Sequence, residues 1–306
     1  MWVGMACVMA SRAAGAGPVA AAYREIQPMA FKNLLIHLDD SKACTSRVAA
    51  AIELARAHEA HLTGLYVAAD PVLPGNLRAE VPSQFLTALD EQADARAQAA
   101  VAGFAKALEK NGLVADTRTA RCLATEVPQV VALHARYADL VIVGQPEGEA
   151  AGAVDGSLAE DVVLAAGRPV LIIPYIGAGK HLGRRVLIAW DAGREAARAV
   201  NDALPFLKRA DQVTALVIDP HKGNDGPEPG ADIALHLTRH GVKVEARSLT
   251  AGDLSVADAL LSRSADLDID LVVMGGYGHS RLREWVLGGV TRQIFEQMTV
   301  PVLMSH

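Results

Sequence analysis

The most constraining feature of this 306-residue chain is that it repeats its own apolar segments in order. Four short segments of the amino-terminal half recur in the carboxyl-terminal half. The matched pairs are 33–39 with 185–191, 61–67 with 212–218, 138–144 with 269–275, and 168–172 with 300–304. Four matches in the same order are hard to obtain by chance, so the sequence indicates a tandem duplication of one structural unit.

The recurring segments read as short buried strands, and the stretches between them have helical spacing. In 44–58, for example, apolar residues recur at helical intervals, and 83–110 reads as a long alanine-rich helix. In the second repeat, 195–209 reads as one helix. Strands alternating with helices predict a mainly parallel sheet covered by helices, the α/β class.

Composition excludes several functions. Hydrophobic residues make up 51% and charged residues 21% of the chain, which is typical of globular domains, and the length suffices for two of them. No apolar run approaches the ~18–20 residues of a membrane span, so we expect no membrane partner. The net charge of −6 argues against nucleic-acid binding.

Three isolated cysteines, Cys7, Cys44 and Cys122, have neither disulfide-scaffold nor metal-ligand spacing. Such sparse thiols are typical of a reducing compartment, and we expect a cytoplasmic protein without a metal site. Residues 1–29 are rich in Ala and Gly and lack the basic start of a secretory signal. We expect them to be a poorly ordered extension, and Met29 is a second possible translation start.

A glycine-rich stretch follows the apolar run 271–274. Gly275, Gly276 and Gly278 form the first group, and Gly288 and Gly289 precede a helical pattern that runs to about Met298. Strand, glycine loop and helix N-terminus together form an anion site, because free N–H groups and the helix dipole favour negative charge. The spacing matches neither the dinucleotide fingerprint nor the P-loop. The alternative is a turn that needs glycine for its geometry alone.

The spacing Gly275-x2-Gly278-x9-Gly288 resembles the nucleotide-binding motif of the universal stress protein family. It departs from that motif at Gly289, where the family prefers Ser or Thr. Residues 30–306 as a whole resemble a tandem member of this family. The resemblance implies two Rossmann-like domains, 30–174 and 184–306, joined by a linker at 175–183. Each would contain a five-stranded parallel sheet of order 3-2-1-4-5 flanked by helices.

The resemblance also implies a nucleotide site in the second domain, where the strand order reverses. Asp191 and Val217 would hold the adenosine end. Six residues would surround the phosphates: Gly275, Gly278, Gly288, Gly289, Val290 and Thr291. Taken alone, Asp191 is equally consistent with a residue that caps the following helix, and Val217 with a core residue.

The corresponding loop of the first domain is degenerate. Glu147 replaces the second glycine, Pro146 removes a donor, and the spacing to Gly156 is one residue shorter. Residues 144–161 carry five acidic and no basic residues, whereas 275–292 carry three arginines and one glutamate. Unpaired carboxylates near a triphosphate cost roughly 1 kcal/mol or more per close pair. We therefore expect no phosphate ligand in the first domain.

The resemblance implies a stress-response or regulatory protein that binds ATP, with or without Mg²⁺, and ADP or AMP as alternatives. No catalytic residue set can be assembled, so we expect at most weak ATP hydrolysis. One alternative is a scaffold that acts through protein–protein interaction without nucleotide. Another is an ATP pyrophosphatase, but its loop after strand one, Ser-Gly-Gly-x-Asp-Ser, does not match Asp191-Ala-Gly-Arg-Glu.

Both repeats end in an apolar strand, at 169–173 and 300–306. Apolar edge strands favour pairing. In the family the resemblance indicates, these strands pair between domains, so we expect the two repeats to pair within the chain. We also expect a homodimer and an unidentified protein partner.

Overall fold

The computed structural model describes residues 30–72, 82–145, 158–220, 228–277 and 289–306. The predicted extension, residues 1–29, lies outside the described residues, as do Gly278 and Gly288 of the glycine-rich stretch. Everything stated below about the structure concerns the described ranges.

The first repeat contributes five of the described strands: β1 (Asn33–Leu38), β2 (His61–Asp70), β3 (Ala115–Leu123), β4 (Leu140–Gly144) and β5 (Val170–Ile173). Its described helices are α1 (Cys44–His58), α2 (Ser83–Lys110), α3 (Val127–Ala135) and α4 (Leu158–Ala165). A 3₁₀ turn at Ala124–Glu126 precedes α3.

The second repeat contributes the strands β6 (Arg185–Ala189), β7 (Gln212–Ile218), β8 (Val244–Leu249), β9 (Leu271–Gly275) and β10 (Val302–Ser305). Its described helices are α5 (Arg194–Asp202), α6 (Leu204–Leu207), α7 (Ala231–Arg239), α8 (Val256–Asp266) and α9 (Gly289–Gln297). Between β5 and β6 the chain forms no helix or strand.

All these strands form one sheet in the order β3-β2-β1-β4-β5-β10-β9-β6-β7-β8. The predicted α/β class is confirmed, and each half has the order 3-2-1-4-5. The halves are not separate sheets, because β5 pairs with β10, and Leu171 lies opposite Leu303. This single pairing is antiparallel, so the carboxyl ends of the strands in the two repeats lie at opposite edges of the sheet.

The central strands are apolar on both faces because helices cover both faces. Leu34 and Ile36 of β1 pack in one core with α1 and α2, whereas Leu35 packs in the other core with α3 and α4. Successive side chains of a strand point to opposite faces, so a continuous apolar run fills both cores. The short apolar segments recognised in the sequence are these doubly buried strands.

One aspartate in each repeat fixes the start of its central strand. Asp139 accepts hydrogen bonds from the backbone N–H groups of Lys32 and Asn33 at 2.7 and 2.9 Å. Asp270 accepts three such bonds, from Gly183, Arg184 and Arg185. The two aspartates occupy matching positions of the repeat, so the duplication preserved a hydrogen-bonding role as well as the apolar pattern.

The prediction of one helix over 195–209 is wrong in detail. The segment forms two helices, α5 and α6, separated at Ala203. Pro205 lies in the first turn of α6, where its missing N–H is tolerated, whereas it would break a hydrogen bond inside a longer helix. The break places Phe206 against Phe31 and His58 of the first repeat, with ring centroids 5.2 and 5.8 Å away. These three buried rings connect the repeats away from the sheet.

Candidate functional site

The candidate site lies at the carboxyl edge of the second repeat. β6 pairs in parallel with β7 on one side and β9 on the other, and β9 pairs with β10. The chain therefore continues in one direction across the sheet after β6, toward β7, and in the opposite direction after β9, toward β10. This is the position at which open α/β sheets bind ligands. Asp191 follows β6, Val217 lies near the end of β7, and Gly275 ends β9. The structure therefore brings together the three strand ends that the sequence analysis singled out.

Asp191 is exposed at this edge. Its Oδ1 accepts a hydrogen bond of 2.8 Å from the backbone N–H of Gly193, across Ala192, which has a φ of 58°. Gly193, not Asp191, occupies the N-cap position of α5. Asp191 thus forms a tight turn ahead of the helix, and no further hydrogen bond to its carboxylate comes from the described residues.

The side chain of Val217 is core, with 3% of its surface exposed. Trp190 N donates to Leu216 O, and Asp219 N donates to Leu249 O. Backbone groups alternate in direction along a strand, so those of Val217 face β8 and those of Ile218 face the side where β6 has ended. Ile218, which the sequence analysis did not single out, therefore presents the free backbone groups at this edge.

Gly275 and Gly276 are needed for close packing. A Cβ atom on Gly275 would lie 2.6 Å from the backbone nitrogen of Ala196, in the first turn of α5. A Cβ atom on Gly276 would lie 3.0 Å from Val163 Cγ1 of the first repeat. The N–H of Gly276 donates to Ser305 O, and its carbonyl accepts from His306 Nδ1 at 3.0 Å. Both glycines therefore have a structural role, whatever binds nearby.

The N-terminus of α9 completes the described part of the site. Gly289 and Val290 are exposed, and a Cβ atom on Gly289 would meet no atom of the described residues within 4 Å. The first N–H groups of a helix have no partner within it, so Gly289, Val290 and Thr291 offer donors to an anion. Gln293 fixes the helix by donating to Asp258 Oδ1 at 2.8 Å.

Glu195 is a site residue that the sequence analysis missed. It lies in the first turn of α5 and is 5% exposed, and its Oε1 accepts from Arg194 Nε and Nη2 at 3.0 and 2.7 Å. Burial acts to raise the pKa of this carboxyl, but the hydrogen bonds from Arg194 and the backbone, with the nearby His306, hold its pKa below the ordinary value. No sequence motif marks it, since only the packing of α5 on Gly275 buries it.

The equivalent edge of the first repeat is built differently. Asp39, the counterpart of Asp191, accepts hydrogen bonds from the N–H and hydroxyl of Ser41 and from Arg47 Nη2 at 2.6 Å. Arg47 is 2% exposed and lies directly against Gly144. The carboxylate at this edge is thus paired with an internal cation, while that of Asp191 is open to solvent.

Two negative observations apply to the described ranges. None of their helices combines the length and apolar character needed to cross a bilayer. Nor do they contain a group of three or more His, Cys, Asp and Glu side chains arranged to hold a metal ion.

Comparisons with known proteins agree on the family. The model of the universal stress protein family matches residues 30–174 and again 183–306. A curated universal stress protein of Synechocystis is 28% identical over 174 residues, which is 54% of this chain and 57% of that protein. The match therefore spans little more than half of this relative.

Solved structures show the same fold. A universal stress protein of Archaeoglobus fulgidus superposes with a TM-score of 0.68 at 16% identity, covering 89% of this chain and 95% of that one. A putative universal stress protein of Pseudomonas aeruginosa gives a TM-score of 0.55 at 14% identity, covering 90% and 93%.

Two doubly wound halves joined through their last strands define a tandem Rossmann-like α/β protein. With the family model matching both halves, the chain belongs to the universal stress protein family.

Proposed function

We propose that the second domain binds an adenine nucleotide at the carboxyl edge of β6 and β9, and that the protein acts as a regulatory binding protein. One observation carries the proposal. Asp191, an exposed carboxylate, follows β6, and α9, whose first described residues Gly289 and Val290 are exposed, follows the neighbouring strand β9. The motif Gly275-x2-Gly278-x9-Gly288 connects them in sequence.

In this proposal each group has a chemical role. Asp191 accepts hydrogen bonds from the ribose hydroxyls, and the backbone N–H groups of Gly289, Val290 and Thr291 face the phosphates. Gly278 and Gly288 belong to the same phosphate loop. Backbone groups at the end of β7 form hydrogen bonds with the adenine edge. The sequence analysis assigned this role to Val217, but Ile218 is the better placed. Mg²⁺ would neutralise part of the negative charge of bound ATP. Occupancy of the site changes the surface that partner proteins contact.

The further expectations rest on the same proposal. They are a preference for ATP over ADP or AMP, at most weak hydrolysis, a cytoplasmic location, and a homodimer on top of the intrachain pairing. The domain boundaries 30–174 and 184–306, with a linker at 175–183, also remain predictions.

A scaffold without nucleotide is the second candidate, and two observations favour it. Gly289 lacks the hydroxyl that the family motif has at this position. The backbone of Val217 is directed into the sheet, not toward a ligand.

Nucleotide stoichiometry separates the two candidates. Freshly purified protein is denatured and its supernatant chromatographed, and stripped protein is titrated with Mg-ATP by calorimetry. We expect about one nucleotide per chain, abolished by Gly278→Glu, which copies Glu147 into the second domain. Two per chain would contradict the expectation that the first domain binds no nucleotide, and none, with no titration heat, would leave the scaffold.

A further inference from the structure

Arg47 is the most deeply buried cation of the first repeat's carboxyl edge. Its side chain is 2% exposed, and its Nη2 donates to Asp39 Oδ2 at 2.6 Å. A Cβ atom on Gly144 would lie 2.1 Å from Arg47 Nη1, so the guanidinium occupies the space that a side chain at position 144 would need. The guanidinium thus lies between α1 and the end of β4.

Among its described residues, the second repeat has no buried arginine, lysine or histidine. Continuing the matched segments without a gap pairs Arg47 with Ala199 and His37 with Ala189. There the backbone of α5 lies directly against Gly275, 2.6 Å from its ideal Cβ position. Around the ideal Cβ position of Gly144, by contrast, the heavy atoms of the described structure within 4 Å, apart from Gly144 and its chain neighbours, belong to Arg47. The guanidinium therefore fills a gap that the second repeat closes with main chain.

The gap is lined by polar groups. His37, 2% exposed, places its Nδ1 4.0 Å from Asp39 Oδ2. Neither this nitrogen nor Arg47 Nε has a hydrogen-bond partner among the described residues. Buried polar atoms without hydrogen-bond partners lower the free energy of unfolding, so a cluster that served packing alone would leave fewer of them. A neutral imidazole and an ionised carboxylate beside the space occupied by the guanidinium are suited to hold a planar cation.

We propose that the switch-point cleft of the first domain is a guanidinium site whose occupant is the chain's own Arg47. Four residues build it: His37, Asp39, Arg47 and Gly144. Because Arg47 takes the carboxylate that corresponds to Asp191, Asp39 is not available to ribose hydroxyls. The first domain therefore keeps its fold, but its own arginine occupies the cleft and excludes nucleotide. The exclusion of nucleotide rests on the function proposed above; the guanidinium site does not.

Chemical rescue tests the site. Arg47→Ala removes the occupant and leaves Asp39 unpaired, and we expect the midpoint of thermal unfolding to fall by about 6 °C or more. Millimolar guanidinium or methylguanidinium should restore at least half of this loss, whereas the same concentration of sodium chloride should not. Wild-type protein should gain nothing, because its site is filled.

Arg198→Ala is the matched control. Arg198 pairs with Asp202 but is about half exposed, so its removal should lower the midpoint by less than about 2 °C, with no recovery by guanidinium. The double variant Arg47→Ala/Asp39→Asn should not be rescued either, because the carboxylate that holds the cation is gone. If Arg47→Ala does not fold, Arg47→Lys keeps the charge without the planar fork, and its midpoint should lie clearly below that of the wild type.

Recovery of Arg47→Ala by sodium chloride as effectively as by guanidinium, or a wild-type midpoint for both Arg47 variants, would refute the site. Nucleotide measurements separate this result from the proposed function. The wild type and the double variant should both bind about one nucleotide per chain. A wild type that binds none refutes the proposed function and leaves the rescue experiment unaffected.

Discussion

The side-chain amide of Gln145 donates a hydrogen bond of 2.8 Å to the carbonyl oxygen of Phe295, 150 residues further along the chain. A second bond reaches Glu296 O at 3.4 Å, and Gln145 Oε1 accepts from the N–H of Tyr175. Gln145 directly follows β4 of the first repeat and satisfies carbonyls in the last turn of α9, which otherwise lack partners. One repeat thus caps the helix whose other end is the proposed phosphate site of the other repeat.

Replacing Gln145 should loosen α9. In Gln145→Ala the buried carbonyl of Phe295 loses its partner, as do the partly buried carbonyl of Glu296 and N–H of Tyr175, at a cost of about 1–3 kcal/mol in the free energy of unfolding. Hydrogen exchange should accelerate in 291–297, and nucleotide affinity should fall with it. Gln92→Ala, on the exposed face of α2, is the control. Unchanged exchange in α9 would contradict the capping role.

A matched pair of glycine substitutions separates packing from binding. Gly275→Ala forces a Cβ atom against the backbone of α5, which cannot move like a flexible side chain, so we expect a loss of about 1–3 kcal/mol. Gly289→Ala meets open space at the start of α9 and should change stability by less than about 1 kcal/mol. Urea unfolding of both variants measures the difference. Equal effects would show that the close approach at Gly275 does not matter.

The family hydroxyl can be restored at Gly289. Because no atom of the described part of the chain lies within 4 Å of its ideal Cβ position, Gly289→Ser displaces none of these residues. A hydroxyl donating to a charged phosphate should raise the affinity for Mg-ATP by about tenfold. Calorimetric titration measures this, and Gly289→Ala, which adds Cβ without the hydroxyl, should show no gain. An equal gain in both variants would attribute the effect to helix stability instead.

Acid should destabilise the fold through two buried histidines. Burial, reinforced by Arg47, lowers the pKa of His37 to about 4, and burial, reinforced by Arg209 and Lys32, lowers that of His58 to about 4. In the unfolded chain both titrate near 6.5. The contribution of these two histidines to the free energy of unfolding is therefore complete above pH 6.5. It is lost as the pH falls toward 4, because the unfolded chain takes up protons at a higher pH than the folded protein does. Each histidine accounts for about 3 kcal/mol over that range.

His58→Phe tests this pH dependence. The variant keeps a ring between Phe31 and Phe206 but removes one titrating group. Urea unfolding from about pH 7 to about pH 5 should show roughly half of the wild-type decrease in the free energy of unfolding. A full wild-type decrease in the variant would show that His58 does not contribute.

The sequence was a reliable guide where local pattern and duplication coincide. The strands around Leu34–Leu38 and Leu271–Met274 were predicted correctly, because a doubly buried strand must be apolar throughout. The split near Pro205 was missed, since the apolar spacing continues across it. Asp191 and Gly275 follow or end neighbouring strands, as the sequence analysis expected, and their role in binding stays a prediction.

What the sequence alone determined is the repeat, the α/β class and the strand ends at which a ligand site can form. Those follow from periodicity and from glycine spacing, which are local properties. Only the tertiary structure decided that Arg47 fills the first domain's cleft, that Glu195 is buried, and that Gln145 caps α9. These contacts depend on the parallel pairing of β1 with β4, the parallel pairing of β6 with β9 and the antiparallel pairing of β5 with β10, and no spacing along the chain encodes them.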